Sequence, residues 1–160
     1  MVKITTKGSK QTIDKKPIVK TAPEVKFVGE YTPEYATKGS ACFDLKCIQK
    51  ERIFPGELVK VDLGIKVEIP KGYYMEIVAR SSLVKSGLIL ANSVGVIDTD
   101  YRGPVFAALR NVGKTKIILP PGQRIVQGML KPIEQVTFKQ VKKLSETVRG
   151  EGGYGSTGNE

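Results

Sequence analysis

The stretch NSVGVIDTDYRG, residues 92–103, combines a strand pattern with reactive side chains. The valines and the isoleucine in its first half are typical of a β-strand. Asp98 and Asp100 follow directly, and the aromatic ring of Tyr101 comes next. A simple hairpin turn needs only Asn-Gly or Asp-Gly, so this composition exceeds the needs of a turn. We therefore expect a β-hairpin that places acid–base chemistry beside an aromatic ring.

Similar short β segments, separated by Gly, Pro and Asp, extend from this stretch in both directions. Gly95 and Gly103 mark points where a tight turn or a close backbone approach is allowed. A short helical turn is expected at residues 81–85, with a serine hydroxyl as its cap. The pattern predicts an all-β jelly roll or barrel. The expected strands are residues 25–28, 42–48, 58–69, 73–78, 89–92, 105–111, 116–119, 124–132 and 135–138.

Length and charge narrow the class of protein. The chain has 160 residues, of which 40% are hydrophobic, and this is enough for one domain with a core. Its net charge is +10, and residues 1–26 hold seven lysines against two acidic residues. We interpret residues 1–24 as a flexible basic extension. It either stays solvated or contacts nucleic acid, although it has no aromatic side chains for base stacking.

Some residue types that commonly serve in catalysis are scarce. The chain has no histidine, which excludes a Ser-His-Asp triad and a histidine metal site. Any metal would therefore be a hard cation such as Mg²⁺. Cys42 and Cys47 are five residues apart, which places them on opposite faces of a strand and disfavours a disulfide. Without a secretory signal or a membrane span, we expect a cytoplasmic protein, or one of the host cytoplasm or nucleus if it is viral.

Three short motifs carry groups that bind phosphate. In RSSL, residues 80–83, an arginine and two hydroxyls lie at the start of a turn. In RGEGGYGSTG, residues 149–158, backbone amides, hydroxyls and an arginine are anion donors, and a tyrosine can stack on a base. GQRIVQ, residues 122–127, is less specific, because Gln127 is equally typical of an edge strand. Each motif also has a purely structural interpretation, as a capped turn, a flexible tail or a surface strand.

Asp44 is an isolated charge within the apolar segment ACFDL, residues 41–45. A carboxylate that is buried without a partner is strongly destabilising. The residue therefore needs a backbone donor, a basic side chain or a metal-bound water, and the sequence leaves these three alternatives open.

Five segments, in this order, resemble the five motifs of the trimeric dUTPase family. They are SACFDL (40–45), RSSL (80–83), NSVGVIDTDYRG (92–103), GQRIVQ (122–127) and RGEGGYGSTG (149–158). The resemblance implies a distorted jelly-roll β-barrel over residues 25–148, a C-terminal lid over residues 149–160, and a homotrimer whose active sites each draw on three subunits. Family members hydrolyse dUTP to dUMP and pyrophosphate with Mg²⁺, which limits uracil in DNA and supplies dUMP for dTMP synthesis.

The resemblance also implies roles for the third motif. Asp98 would activate the water that attacks the α-phosphorus. Tyr101 would pack on the deoxyribose and reject a ribose 2′-hydroxyl. Asp100 has no assigned chemistry, and we expect it to shape the turn or to pair with Arg102. The implied uracil contacts are Asn92, Gly95, Val96, Ile97 and, from the lid, Tyr154.

The other motifs would hold the phosphates and the metal, and they would come from the two other subunits. Asp44 would contact Mg²⁺ through water. The lid would close over the γ-phosphate and exclude bulk water. The implied phosphate contacts are Arg80, Ser81, Ser82, Gln127, Arg149, Ser156 and Thr157.

This chain departs from the family pattern at a few positions, and other functions remain open. Cys42 replaces a usual glycine, Ala79 replaces a usual proline, and Pro104 lies where an acidic or polar residue is common. One alternative is a dCTP deaminase, which shares the fold but needs a catalytic Glu near the third motif. Two others are a dUTPase-fold regulator that binds nucleotide and a protein partner, and a nucleic-acid-binding β protein.

Overall fold

Antiparallel strands are the main regular structure in residues 22–153, the part of the chain that the computed structural model describes. The expected all-β class is confirmed. Across this part, no helix has the length and apolar character that a membrane span requires. The strands are β1 (Lys26–Gly29), β2 (Glu34–Tyr35), β3 (Phe43–Lys46), β4 (Glu51–Ile53), β5 (Leu58–Asp62), β6 (Ile65–Glu68), β7 (Tyr73–Ala79), β8 (Leu88–Leu90), β9 (Gly95–Ile97), β10 (Phe106–Asn111), β11 (Ile117–Leu119) and β12 (Arg124–Pro132), with a 3₁₀ helix (Ser81–Ser86) between β7 and β8.

The strands are distributed over several sheets, as in a jelly roll. The largest sheet has the order β2-β3-β12-β7-β9, so that β12 lies between β3 and β7. A second sheet has the order β5-β10-β8, and β1-β6 and β4-β11 form two-stranded sheets. Strands that are neighbours in sequence therefore often belong to different sheets.

Apolar side chains of these sheets pack into one core. In β7, Met75 and Ile77 are buried, whereas Glu76 between them is partly exposed. In β10, Ala107 and Leu109 are buried in the same alternating pattern. A fully buried aliphatic side chain stabilises a fold by about 1.5–3 kcal/mol. The strands that carry the candidate site are thus anchored on their inner face.

The segment predicted as a single strand at residues 58–69 is two strands, and that prediction was wrong. Gly64 separates β5 from β6 with a φ of +65°, a conformation that favours glycine. A Cβ at this position would also collide with the side chain of Ile48. The Asp62 carboxylate accepts a hydrogen bond of 2.8 Å from the Gly64 amide and closes the turn.

The stretch at residues 92–103 is not a simple hairpin, because β9 within it pairs with β7 of the largest sheet and not with β8 or β10, the strands on either side. β8 pairs with β10, whereas β9 pairs with β7. The turn between β8 and β9 carries the chain from one sheet to the other. Ser93 within this turn has a φ of 59°, which is uncommon for a residue with a side chain.

Three shorter elements also differ from the expectation. Residues 135–138 form no strand, and Phe138 is 95% exposed. Conversely, Glu34–Tyr35 and Glu51–Ile53 are strands that the pattern did not predict. The two missed strands have only two and three residues, and such lengths are too short for an alternating pattern to be recognised.

Candidate functional site

Three adjacent strands of the largest sheet bring together residues from three separate motifs. Asp44 on β3 lies opposite Gln127 on β12, and Gln127 lies opposite Val78 on β7. Arg80 follows directly after β7. The first, second and fourth motifs therefore meet at one place, which we call the arginine cleft.

A β-bulge in β12 determines which side chains face this cleft. The pairing between β12 and β3 shifts register between Arg124 and Val126, so β12 holds one extra residue there. Both Ile125 and Val126 are buried as a result. Arg124 and Gln127 are three residues apart, yet both lie on the face of Asp44. Bulges commonly redirect a side chain in this way.

Asp44 is held between two arginines. Its Oδ1 lies 2.8 Å from Nε of Arg80, and its Oδ2 lies 2.9 Å from Nη1 of Arg124. Arg80 also donates from Nη1 to the backbone oxygen of Arg124, at 3.1 Å. The three residues thus form a closed ring of contacts. Of the three partners that the sequence left open for Asp44, the structure provides the basic side chains, and it provides two.

The arginine cleft is a concave, polar surface with a volume of about 340 Å³. Gln127 donates from Nε2 to the Ala79 carbonyl at 3.2 Å, which fixes its orientation. Charged and amide donors directed at one cleft suit a phosphate ligand. The lining residues are Ala36, Ser40, Ala41, Cys42, Asp44, Arg80, Ser81 and Gln127.

The two cysteines are free thiols, as expected, and one of them lies in this cleft. Cys42 lines the arginine cleft, whereas Cys47 is buried in the core. Desolvation raises the pKa of the Cys42 thiol, and the nearby Asp44 carboxylate acts in the same direction against the opposing effect of Lys131. The side chain at position 42 is therefore a neutral thiol at neutral pH.

The 3₁₀ helix after Arg80 has the expected position but lacks the expected cap. Arg80 itself precedes the helix in an extended conformation and makes no side-chain capping bond. Ser81 and Ser82 lie in the first turn and are exposed. Ser81 lines the arginine cleft, whereas Ser82 is not among the lining residues. The serine that makes a side-chain hydrogen bond is instead near the helix end, where the Ser86 hydroxyl donates to the Leu83 carbonyl at 2.6 Å.

A second region lies around β9. A Cβ on Gly95 would come within 3.2 Å of the Ile77 Cβ and within 3.5 Å of the Asn92 amide nitrogen. The expected close backbone approach at Gly95 is therefore confirmed, since a side chain would push against β7. Asn92 and Val96 are exposed, and Ile97 is half-buried.

Residues 98–104, which we call the aspartate loop, are held by hydrogen bonds to their own backbone. The Tyr101 amide donates to the Asp98 carbonyl at 3.2 Å, and the Tyr101 hydroxyl donates to the Pro104 carbonyl at 2.9 Å. Arg102 donates from Nη1 to the carbonyls of Thr99 and Tyr101, at 2.7 and 2.8 Å. The carboxylate of Asp98 is left on the exposed side of this loop.

Two further contacts fix the aspartate loop. Thr99 donates from Oγ1 to the Tyr73 carbonyl at 2.5 Å and so fastens the loop to β7. A Cβ on Gly103 would lie 2.6 Å from Cζ of the Tyr101 ring, which confirms the expected close approach. Of the two alternatives for Asp100, the pairing with Arg102 is not found, because the guanidinium of Arg102 binds backbone carbonyls instead.

The arginine cleft and the aspartate loop lie at opposite ends of β7. β9 runs antiparallel to β7, with Gly95 opposite Ile77 and Ile97 opposite Met75, so Asp98 follows towards the start of β7. Arg80 follows its other end. Along β7, six residues of extended strand separate the position of Asp98 from that of Arg80, and this corresponds to about 20 Å. The phosphates of one nucleotide are much closer together than this, so a single chain does not bring both regions to one triphosphate.

Half of the remaining motif, residues 149–158, lies outside the described residues. Tyr154, Ser156 and Thr157 are among residues 154–160, and the basic extension is almost entirely within residues 1–21, so the expectations for them stay predictions. Arg149 is described, and it donates from Nε to the Gly152 carbonyl at 2.9 Å.

Comparison with known proteins connects this geometry to a family. The family model for dUTPase matches residues 31–158. The chain belongs to the dUTPase family. The deoxyuridine 5′-triphosphate nucleotidohydrolase of Chlamydia pneumoniae is 44% identical over 135 residues, which cover 81% of this chain and 92% of that protein.

Solved structures share the fold of this dUTPase-family chain. The dUTPase of Staphylococcus bacteriophage 80alpha, determined with dUpNHpp, has a TM-score of 0.79 at 23% identity and covers 84% of this chain and 98% of that one. A mutant dUTPase from phage phi11 of S. aureus, described with a structural Mg(II) ion, has a TM-score of 0.70 at 18% identity. The match covers 75% of this chain and 97% of that one.

The donor groups around the arginine cleft do not form a cage for a metal ion. Residues 22–153 hold no cluster of three or more His, Cys, Asp or Glu side chains. Mg²⁺ commonly binds through one or two carboxylates, waters and substrate phosphates rather than in a cage of protein ligands. Both oxygens of Asp44 face arginines, yet each carboxylate oxygen has a second acceptor direction for a water. The residues therefore fit an ion that arrives with the phosphates.

The sequence did not single out Arg124 or Thr99 as residues of this site. Arg124 lies within GQRIVQ, but only the bulge in β12 directs it to Asp44, and a bulge has no clear signal in this sequence. Thr99 lies between the two aspartates, and its partner is a backbone carbonyl 26 residues away.

Proposed function

We propose that this chain hydrolyses dUTP to dUMP and pyrophosphate at sites that neighbouring copies complete, in a homotrimer. Membership of the dUTPase family supports the activity, since the related nucleotidohydrolase is 44% identical. The separation of about 20 Å along β7 between the aspartate loop and the arginine cleft carries the proposal of a shared site. Two copies, each contributing one of the two regions, would supply what one chain does not.

Asp98 would act as the general base. Its carboxylate is exposed, and the loop that presents it is fastened by hydrogen bonds from Tyr101, Arg102 and Thr99. A fixed carboxylate can take a proton from the water that attacks the α-phosphorus. The rigidity of the loop supports this role, because general-base catalysis depends on a position that is set before the substrate arrives.

The nucleoside would lie against β9 and the aspartate loop. The backbone of Gly95, Val96 and Ile97 would bind the uracil edge, and Asn92 lies within reach of Gly95. The Tyr101 ring, fixed by Pro104, would pack on the deoxyribose and leave no room for a 2′-hydroxyl. A pocket that hydrogen-bonds uracil would reject cytosine, because polar groups would be left unpaired.

The arginine cleft of a second copy would hold the phosphates through Arg80, Ser81, Ser82 and Gln127. Mg²⁺, when bound with the triphosphate, would neutralise charge on the phosphate oxygens, with Asp44 holding one of its waters. Residues 149–160 of a third copy would close over the bound nucleotide through Arg149, Ser156 and Thr157, with Tyr154 on the base.

The proposal is tested by offering dUTP, dCTP, dTTP and UTP with Mg²⁺ and measuring the release of pyrophosphate. We expect rapid release from dUTP and little from the other three. Equal turnover of all four nucleotides would contradict the selectivity, and no turnover of dUTP would contradict the activity. Sedimentation of the full chain gives the number of copies, for which three is expected.

A further inference from the structure

Arg124 is placed beside the arginine cleft, against Asp44, by a specific distortion of the fold. A regular β12 would direct Arg124 and Gln127 to opposite faces, because they are three residues apart. The bulge adds one residue between them and brings Arg124 to the face of Asp44. The contact between Arg124 and Asp44 therefore depends on a backbone irregularity in β12.

The contacts of Arg124 lead to Arg80 by two routes. Its side chain binds Asp44 Oδ2 at 2.9 Å, and Asp44 Oδ1 in turn lies 2.8 Å from Nε of Arg80. Its backbone oxygen accepts directly from Nη1 of Arg80 at 3.1 Å. A guanidinium is planar, so two fixed nitrogens define the direction in which its remaining donors point.

Partial burial makes the loss of one of these contacts more costly than the loss of a surface ion pair. The side chains of Asp44 and Arg80 are only 12% and 25% exposed, whereas that of Arg124 is 50% exposed. Exposed ion pairs contribute little, but a partly buried carboxylate that loses one of two partners is left poorly compensated. With two cations and one anion, the ring also keeps an excess positive charge beside the cleft.

We propose that Arg124 is a positioning residue, which acts through Asp44 to hold the guanidinium of Arg80 in the direction that binds phosphate. The proposal rests on the proposed function, since Arg80 is there assigned to the phosphates. It assigns Arg124 no direct contact with substrate. It also gives Asp44 a role in orienting Arg80, in addition to any contact with a water.

The test is a double-mutant cycle with Arg124→Gln, Arg80→Gln and both together, and Arg52→Gln as the matched control. Arg52 is an exposed arginine on β4, and within residues 22–153 it has no ion pair. Two quantities are measured for each protein: KM and kcat for dUTP, and the affinity for inorganic pyrophosphate by calorimetry. Thermal unfolding shows whether each variant is folded.

Arg124→Gln should raise KM and weaken pyrophosphate binding by about tenfold, with a smaller change in kcat. In the Arg80→Gln background, the same substitution should have almost no further effect, because Arg80 is the group it acts through. Arg52→Gln should match the wild type. Additive effects would overturn the proposal in favour of an independent phosphate contact, and an unchanged KM and pyrophosphate affinity would overturn it in favour of a purely structural role.

The two proposals fail in different ways. A wild-type chain without dUTP turnover contradicts the proposed function. The pyrophosphate affinities of the wild type, the two single variants and the double variant still decide the role of Arg124. A wild-type chain that hydrolyses dUTP but shows additive substitutions contradicts only the positioning role.

Discussion

The arginine cleft is held by ion pairs between side chains on different strands, whereas the aspartate loop is held mainly by hydrogen bonds to its own backbone, with one further bond from Thr99 to β7. In the cleft, Asp44, Arg80 and Arg124 come from three strands or strand ends that are distant in sequence. In the loop, Arg102 and Tyr101 bind carbonyls at most three residues away. The cleft thus holds two guanidinium groups around one carboxylate, and the loop fixes the backbone beside Asp98 and the ring of Tyr101.

The largest effect should come from removing the carboxylate that the loop presents. Asp98→Asn keeps the backbone contact with Tyr101 but removes the proton acceptor, so kcat for dUTP should fall by about 10³-fold with little change in KM. Asp100→Asn is the matched control, because Asp100 is exposed on the same loop and has no proposed chemistry. A near wild-type rate for Asp98→Asn, or an equal loss for Asp100→Asn, would show that Asp98 is not the base.

Removal of residues 149–160 tests whether the proposed lid takes part in catalysis. Without Arg149 and the hydroxyls that follow it, the triphosphate should be held less precisely, and kcat/KM should fall by about 10²-fold. The fold and the number of copies, measured by circular dichroism and sedimentation, should not change. Deletion of residues 159–160 alone is the control and should retain activity. A fully active 149–160 deletion would exclude the lid.

A smaller effect is expected when the support of the Tyr101 ring is disturbed. Gly103→Ala places a Cβ against this ring, so the ring must move and the selectivity for dUTP over UTP should fall by about tenfold. Gly39→Ala is the control, because a Cβ there would meet no atom within 4 Å. Selectivity is measured as the ratio of kcat/KM for the two nucleotides. An unchanged ratio would mean that Tyr101 does not exclude the ribose.

The smallest effect is expected at Cys42, which lines the cleft without a charge. Because desolvation raises its pKa, the thiol stays protonated until the pH exceeds the ordinary range of a thiol. Cys42→Gly should therefore change kcat/KM by no more than about twofold, and the pH profiles of the two proteins should coincide from pH 6 to 8. Divergent profiles in this range would show that a thiolate at position 42 affects the cleft.

The same comparison explains which features the sequence could predict. The close approaches at Gly95 and Gly103 were predictable, because glycine marks positions where another group can come close to the backbone, although the sequence did not name Ile77 and Tyr101 as the partners. The partners of Asp44 were not, since Arg124 lies 80 residues away and reaches it only through a bulge. The strand predicted at residues 135–138 was wrong for a related reason, because alternating apolar residues do not specify a strand with which to pair.

The central claim is that Asp98 and Arg80 of one active site come from different copies of the chain, and mixed oligomers test it most directly. Asp98→Asn and Arg80→Gln are each expected to be nearly inactive alone. When the two variants are unfolded together, refolded and assayed for pyrophosphate release from dUTP, mixed assemblies should contain sites with an intact Asp98 and an intact Arg80, and activity should return. If mass spectrometry confirms mixed assemblies and no activity returns, the two residues act within one chain and the account is wrong.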